Sequence, residues 1–364
     1  MFNLKGIMGY FKKDVQQRNH ILRWSILVGI LAFISLAIFI YYIDFDGLRH
    51  PNVIKDRHLR LILIVVAFFL TLQLIHAFTK ILARHLNTQY QKRFKHLPKL
   101  GTFVESHSKN YVPNKKYKHI VLLLHGFTAS PQEFNFLVDG LQKEGIAYFS
   151  PTTIGFGLDN AALLKNIRCE DWFRSALEYY DFLSTIAENV SIVGHSMGGV
   201  QATYIAQNRR VCRLILVCPA IYSVKSDLKY KKLLQAPIIS TIFMEIFPYL
   251  PKPIRKGRKT TSDLLDELLL PNLFQYMAIP VRAAQQLFLA QDYIAIEKIK
   301  CERLLLLYGR HDLSVDVERM LIALNENNIP YTDICFENSA HSILEDREHA
   351  EVCKQVIDFL KITF

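Results

Sequence analysis

The chain lacks three features that point to common classes of binding protein. None of its six cysteines lies in the first hundred residues, and no two have the spacing of a structural zinc site. The sequence has no internal repeat of the kind that builds solenoids. Residues 101–364 have no net charge, since their 29 basic side chains are matched by 29 acidic ones. A nucleic-acid-binding domain carries its own positive surface, so we expect no nucleic-acid partner. The spacing of the cysteines gives no reason to expect a metal site.

Two long apolar runs stand in the first hundred residues. Residues 24–43 contain no charge, and residues 61–79 contain Gln73 and His76 as their strongly polar side chains. A helix that crosses a bilayer needs about 20 apolar residues, so both runs are predicted transmembrane helices, joined by a short loop at 44–60. The alternatives are a cleaved signal peptide for the first run and a buried core helix for the second.

Basic residues flank both runs. The N-terminal segment 1–23 has five Lys or Arg and residues 79–99 have six, whereas the loop 44–60 has four, offset by three Asp. The positive-inside bias therefore predicts that both ends of the chain, including the C-terminal domain, are cytoplasmic. The spacing of the cysteines does not suggest that they are paired, which favours a reducing compartment such as the cytoplasm. Residues 80–116 are predicted to form a basic linker, and its part 80–99 lies either along anionic lipid headgroups or as a solvated helical stalk.

The pattern changes at residue 117 to short apolar runs that alternate with helical patterns. Continuous runs such as 119–124 and 190–193 are typical of strands buried on both faces. Their alternation with helices predicts an α/β fold, with a mostly parallel sheet flanked by helices, over residues 117–364. Residues 222–300 interrupt the alternation with a helical, proline-punctuated segment, which we expect to form a cap.

The clearest chemical motif is the sequence GHSMG at residues 194–198. It follows an apolar strand pattern and precedes a helical one, which is the context of a nucleophile elbow. In such a turn the serine oxygen stands above the sheet, and the helix behind it favours developing negative charge. Ser196 is therefore the predicted nucleophile.

A serine nucleophile needs a base, and the base needs an acid that orients it. Asp312 follows the predicted strand 304–308, and His341 follows the next one, 331–336. Loops at the carboxyl ends of parallel strands meet at one edge of the sheet, so both residues are predicted to lie near Ser196. Asp316 is the alternative acid, although its position favours capping the next helix.

Acyl transfer also needs hydrogen-bond donors for a developing oxyanion. The sequence HGFT at residues 125–128 follows the first buried strand and brings the backbone N–H of Phe127 to the same edge. The N–H of Met197, the residue after the nucleophile, is the second predicted donor.

Residues 117–360 resemble the monoacylglycerol lipase and carboxylesterase branch of the α/β-hydrolases, which is grouped with serine-aminopeptidase-like hydrolases. The resemblance rests on segments 122–134, 193–199, 309–312 and 338–348, and on Asp171-Trp172. It implies an α/β-hydrolase fold with a lid, a triad on Ser196, Asp312 and His341, no metal and no organic cofactor. Implied substrates are short- to medium-chain esters, notably monoacylglycerols and lysophospholipids. The sequence GFG at 155–157 and the two N-terminal spans depart from the branch.

Together these observations predict a membrane-anchored serine hydrolase acting on acyl esters of lipids. The same machinery serves a thioesterase, an amidase or a peptidase, because the pockets alone differ. A non-catalytic membrane scaffold is the alternative from another class. Basic residues of the cap form either a lipid-headgroup site or a solvated loop: Lys252, Arg255, Lys256, Arg258 and Lys259.

Overall fold

The structure is a computed structural model. It describes residues 56–93, 116–156, 161–253, 255, 257–258, 261–266 and 275–361. The predicted span at 24–43 and the basic segment 1–23 lie outside these residues, as do most of the loop 44–60 and most of the linker.

The first described element is a helix of 38 residues, α1 (Asp56–Arg93). Its part Leu61–Thr88 is long and apolar enough to cross a membrane, and 6 % of its apolar stretch is buried. A core helix hides its apolar face against the protein. Here Leu74 is 70 % exposed and Ile81 is 68 % exposed. The helix continues past residue 79 because no glycine or proline interrupts the sequence before Pro98.

The described residues form the strands β1 (Tyr117–Leu124), β2 (Ala147–Phe149), β3 (Ala187–His195), β4 (Val211–Val217), β5 (Tyr249–Pro251), β6 (Ala278–Pro280), β7 (Cys301–Gly309) and β8 (Thr332–Phe336). Six of them form a parallel central sheet, in the order β2-β1-β3-β4-β7-β8. Strands β5 and β6 form a separate antiparallel pair. All seven residues of β4 are buried, as expected of a central strand covered on both faces. The mostly parallel sheet predicted from the sequence is confirmed.

Helices cover both faces of the sheet and build the segment between β4 and β7. Those that alternate with the sheet strands are α2 (Asn135–Lys143), α3 (Cys169–Ile186), α4 (Met197–Asn208), α8 (Val317–Glu326) and α9 (His349–Lys361). Between β4 and β7 lie α5 (Leu228–Gln235), α6 (Pro237–Ile246) and α7 (Val281–Asp292), together with the β5–β6 pair. We call the described residues from 222 to 300 the cap. Helix α6 exposes Ile238, Ile239 and Ile242, by 76 %, 57 % and 56 %.

Near its C-terminal end, α1 is hydrogen-bonded to the cap by the side chain of Asn87. Asn87 is 9 % exposed, and its Nδ2 donates to the carbonyl of Ala278 at 3.0 Å. Its Oδ1 accepts from the backbone N–H groups of Met277 and Ala278 at 2.8 and 3.1 Å. A small apolar cluster around the same strand includes Ala83 and Leu86. The region predicted as a linker is therefore, up to Asn87, a helix packed against the cap.

Candidate active site

Ser196 lies in the sharp turn between β3 and α4. Its backbone has φ 53° and ψ −115°, a conformation that costs energy for a residue with a side chain. The turn is held because the Ser196 N–H donates to the Val217 carbonyl at 2.9 Å, while the Ser196 carbonyl accepts from Ala220. Gly198 is required here, since an added Cβ would lie 1.9 Å from the Leu124 carbonyl oxygen at the end of β1.

The three residues predicted as a triad lie within hydrogen-bond distance of each other. His341 Nε2 is 2.9 Å from Ser196 Oγ, and His341 Nδ1 is 2.8 Å from Asp312 Oδ2. Asp312 follows β7, and His341 follows the neighbouring β8. The sheet thus brings together side chains that are up to 145 positions apart in the chain.

Asp312 is nearly enclosed, with 3 % of its side chain exposed. Burial alone would raise the pKa of its carboxyl, but the charge and hydrogen bond of His341 and two backbone N–H donors lower it instead. Those donors are the N–H groups of Ser314 and Val315, at 2.7 and 3.1 Å from Oδ1. Asp316, the alternative acid, accepts from the Arg319 N–H at the start of α8 and acts as its N-cap.

The loop after β1 lies directly against Ser196. A β-carbon added at Gly126 would lie 3.2 Å from the Ser196 Cβ, so the backbone reaches the serine because this residue is glycine. Phe127 follows and lines the same cavity as Ser196 and His341. Met197 begins α4 and is fully buried. Thr128 has a φ of 68°, so the loop turns sharply just after Phe127.

Buried side chains of the catalytic domain contact the loop after β1 and fix its position. His125 is fully buried, with Nδ1 donating to the Gly126 carbonyl and Nε2 accepting from the Thr153 N–H, both at 2.9 Å. Burial lowers the pKa of His125, which agrees with the neutral ring that this pattern requires. Phe156 packs edge-to-face on Phe127 with centroids 5.6 Å apart. The departure from the branch at 155–157 therefore places an aromatic side chain under the loop.

Glu133 and His195 form a buried pair that the sequence did not reveal as part of the site. Glu133 Oε1 accepts from the Gly126 N–H at 2.8 Å and lies 3.1 Å from His195 Nδ1. His195 Nε2 in turn lies 3.2 Å from the carbonyl of His341. Burial alone would lower the pKa of His195, but the Glu133 carboxylate and the His341 carbonyl raise it. The pair thus connects the loop before Phe127 with the backbone of His341.

Asp346 is a second carboxylate that the sequence did not single out. It is fully buried and accepts from four backbone N–H groups, those of Leu265, Asp266, Ala340 and Arg347, all within 2.9 Å. One of these donors immediately precedes His341. A carboxylate in the sequence SILEDRE gives no local signal of this role, because two of its four donors come from the distant residues Leu265 and Asp266.

Cys218 directly follows β4 and lies close to Asp312 and His341, with one ligand-type atom of each within 4.8 Å of the others. Burial raises the pKa of the Cys218 thiol well above its usual value. A metal would require the thiolate, and both nitrogens of His341 already have protein partners. The cluster is therefore better described as a thiol packed behind the Asp312 carboxylate.

A cavity of about 260 Å³ opens beside Ser196. Its wall has an apolar part, which includes Phe127, Ile279, Leu287 and Phe288, and a polar part, to which the cap and the loops around Ser196 both contribute. The enclosed space is that of a small-molecule site rather than a broad protein interface.

Comparisons with known proteins agree with this architecture. The model of the Alpha/beta hydrolase family matches residues 121–355, more than half of the chain. A carboxylesterase of Bacillus subtilis is 22 % identical over 244 residues, covering 66 % of this chain and 92 % of that protein. A thermostable monoacylglycerol lipase of a Bacillus species is 28 % identical over 102 residues, covering 28 % of this chain and 40 % of the lipase.

Solved structures show the same fold. A structure of the metagenome-derived lipolytic enzymes LipS and LipT has a TM-score of 0.57 at 21 % identity, covering 68 % of this chain and 95 % of that one. The monoacylglycerol lipase of Paleococcus ferrophilus has a TM-score of 0.53 at 18 % identity, with the same coverage. The solved structures thus agree in fold, and the family model that matches residues 121–355 shows that the chain belongs to the alpha/beta hydrolase family.

Proposed function

We propose that the protein is a membrane-anchored serine esterase that cleaves acyl esters of amphiphilic lipids, such as monoacylglycerols or lysophospholipids. The observation that carries this proposal is the hydrogen-bonded series Ser196, His341 and Asp312, with distances of 2.9 and 2.8 Å. The similarity to carboxylesterases and monoacylglycerol lipases supports the choice of ester substrates.

In the proposed reaction His341 Nε2 takes the proton of the Ser196 hydroxyl as Oγ attacks the ester carbonyl. Asp312 stays ionised, keeps Nδ1 protonated and stabilises the imidazolium that forms. The proton then passes to the leaving alcohol, and an acyl-enzyme remains on Ser196. Water enters, His341 takes one of its protons, and attack on the acyl carbon releases the carboxylic acid and restores the serine.

The backbone N–H groups of Phe127 and Met197 are the proposed donors to the oxyanion. Gly126 brings the first of them close to Ser196, and the start of α4 supplies the second. Losing one such donor typically lowers the rate by about 10²–10³.

Anchoring to a bilayer is proposed from α1 and its charge pattern. The apolar stretch of Leu61–Thr88 is 6 % buried, and the basic residues near the C-terminal end of the helix favour the cytoplasmic side for the catalytic domain. Exposed isoleucines of α6 lie on the cap, which α1 contacts through Asn87. Such an apolar face suits a lipid surface near the cavity. A carbonate wash that released the full chain from membranes would contradict anchoring.

The proposal is tested with the full chain in detergent micelles. We expect hydrolysis of p-nitrophenyl butyrate and of monooctanoylglycerol, and a fluorophosphonate label on Ser196. The variant Ser196→Ala should lose about 10⁶ in kcat and all labelling, whereas Ser184→Ala on α3 serves as the matched control and should keep both. Hydrolysis that survives in Ser196→Ala would refute the mechanism.

Acyl-CoA and acyl-amide substrates belong in the same assay. The nucleophile and base serve thioesters and amides as well, and the pockets decide between them. A kcat/KM for either class above that for the octanoyl ester would replace the esterase assignment without changing the roles of the three residues.

A further inference from the structure

The polar wall of the cavity contains several charged side chains, and most of them are already paired. Arg255 binds Asp227 through two hydrogen bonds of 2.8 and 2.7 Å. Arg258 Nε lies 2.6 Å from Asp263 Oδ1, and Asp263 also accepts from the Leu313 N–H and the Ser314 hydroxyl. Two members of the basic group in the cap, Arg255 and Arg258, are therefore held in ion pairs and do not belong to a freely solvated loop.

Lys252 is the exception in this wall. Its ammonium group donates to Thr128 Oγ1 at 3.1 Å and to the amide oxygen of Gln275, both of them neutral acceptors. In the described part of the chain no carboxylate lies within 4 Å of its nitrogen. Burial lowers the pKa of Lys252 to about 8, although Asp263 and Glu133 act in the opposite direction, and Arg255 adds to the lowering. The fold thus keeps the largely protonated amine of Lys252 in the wall of the cavity, with no carboxylate of the described residues paired to it.

The remaining carboxyl groups of the cavity do not supply that charge. Glu133 is held by the Gly126 N–H and by His195. Burial, with a smaller contribution from Glu133, raises the pKa of Glu345 well above its usual value, which favours the neutral form of this carboxyl. A protonated carboxyl donates a hydrogen bond to an anion rather than repelling it.

Lys252 lies close to the place where the ester bond of a substrate would react with Ser196. Its contact Thr128 directly follows Phe127, on the loop that approaches Ser196. A group bound by Lys252 would therefore belong to the part of the substrate nearest the ester, and the apolar wall formed by Ile279, Leu287 and Phe288 is left for the acyl chain.

We propose that Lys252 binds an anionic group, a phosphate or a carboxylate, on the alcohol part of the substrate. The substrates would then be acyl esters of a phosphorylated or carboxylated alcohol rather than neutral glycerides. This inference rests on the proposed esterase function and specifies its substrate class.

The test compares three octanoyl esters on the full chain in detergent: octanoylglycerol, octanoylglycerol phosphate and the octanoyl ester of glycerate. Wild-type protein should favour the two anionic esters by about tenfold or more in kcat/KM, as expected of one charge-assisted hydrogen bond. Lys252→Met should abolish that preference, lowering kcat/KM for the two anionic esters about tenfold or more relative to the neutral ester. Lys252→Arg should restore part of it. An exposed cap lysine provides the matched control, Lys225→Met, which should behave as wild type.

The outcomes separate binding from support of the loop. If Lys252 merely holds Thr128, Lys252→Met lowers kcat for all three esters together, and the proposal is overturned. Equal kcat/KM values for neutral and anionic esters in the wild type overturn it as well. A preference for only one of the two anionic esters supports the proposal and identifies the group as phosphate or carboxylate.

A readout without turnover distinguishes failure of this inference from failure of the proposed function. Calorimetry on Ser196→Ala should detect octanoylglycerol phosphate binding that the double variant Ser196→Ala/Lys252→Met weakens by about tenfold or more. Binding of this kind in a protein whose wild type cleaves no ester would refute the esterase function and keep the anion site. Equal binding to both variants would refute the anion site alone.

Discussion

The joint between α1 and the cap offers a quantitative prediction. Asn87 makes three hydrogen bonds to the backbone of Met277 and Ala278, between 2.8 and 3.1 Å, and it is 9 % exposed. A typical net contribution of about 1 kcal/mol for each hydrogen bond gives about 3 kcal/mol for the joint. In Asn87→Ala two N–H groups and one carbonyl lose their partner at once. A loss of this size raises the population of the locally opened state about 100-fold.

Hydrogen exchange measures this opening directly. With the full chain in nanodiscs, the amides of Met277 and Ala278 should exchange about 100-fold faster in Asn87→Ala than in the wild type. Asn87→Asp keeps the oxygen acceptor for both amides and loses the Nδ2 donor, so its increase should be about fivefold. Thr88→Ala changes an exposed neighbour on the same helix and should leave both rates unchanged.

The result that would refute the reasoning is equal exchange of these two amides in Asn87→Ala and wild type. It would mean that the amides do not depend on the helix, either because α1 is not docked on the cap in the bilayer or because the cap strand is protected without it. Faster exchange throughout the domain would also count against it, because the predicted opening is confined to β6 and its neighbours.

Two further predictions concern the polar groups around Ser196. Glu133→Gln removes the carboxylate charge that raises the pKa of His195, and this weakens the connection from Glu133 through His195 to the His341 carbonyl. We expect kcat to fall about tenfold or more with KM nearly unchanged, and an unaltered kcat would contradict this. The preference for anionic over neutral esters should depend on pH, because Lys252 is charged below its pKa of about 8 and neutral above it. The ratio of the two kcat/KM values should be highest near pH 7 and fall above pH 8 to the value of the Lys252→Met variant, and a ratio that rises there would exclude Lys252 as the anion site.

The grouping of Ser196, Asp312 and His341 was predictable because it follows from topology. Each residue comes just after a buried strand, and parallel strands present their carboxyl ends at one edge of the sheet. The order of strands and helices in the sequence is therefore enough to predict that the loops carrying Ser196, Asp312 and His341 meet. The hydrogen bonds between these side chains depend on two loops of irregular backbone, which the pattern of apolar residues does not describe.

The residues that hold the site were not predictable in the same way. Glu133 lies in a short 3-10 turn, Pro131–Phe134, where a charged residue ordinarily faces solvent, yet it is 5 % exposed. Its partners, Gly126 and His195, come from two different strand ends. A buried carboxylate is tolerated where donors surround it, and those donors exist only after the sheet has formed.

Asn87 illustrates the same limit at the other end of the molecule. A single Asn in a basic, helix-forming stretch gives no sign of a tertiary contact, and residues 80–116 were accordingly predicted as a linker. Its partners lie about 190 positions later, in a cap strand of three residues. Tyr276, the residue before them, donates its N–H to the Thr128 carbonyl at 3.0 Å, on the loop that reaches Ser196. Hydrogen bonds thus link α1 to the cap strand, and the residue before that strand to the loop that reaches Ser196. The side-chain amide of Asn87 is therefore connected to the site although it is distant from Ser196 in the sequence.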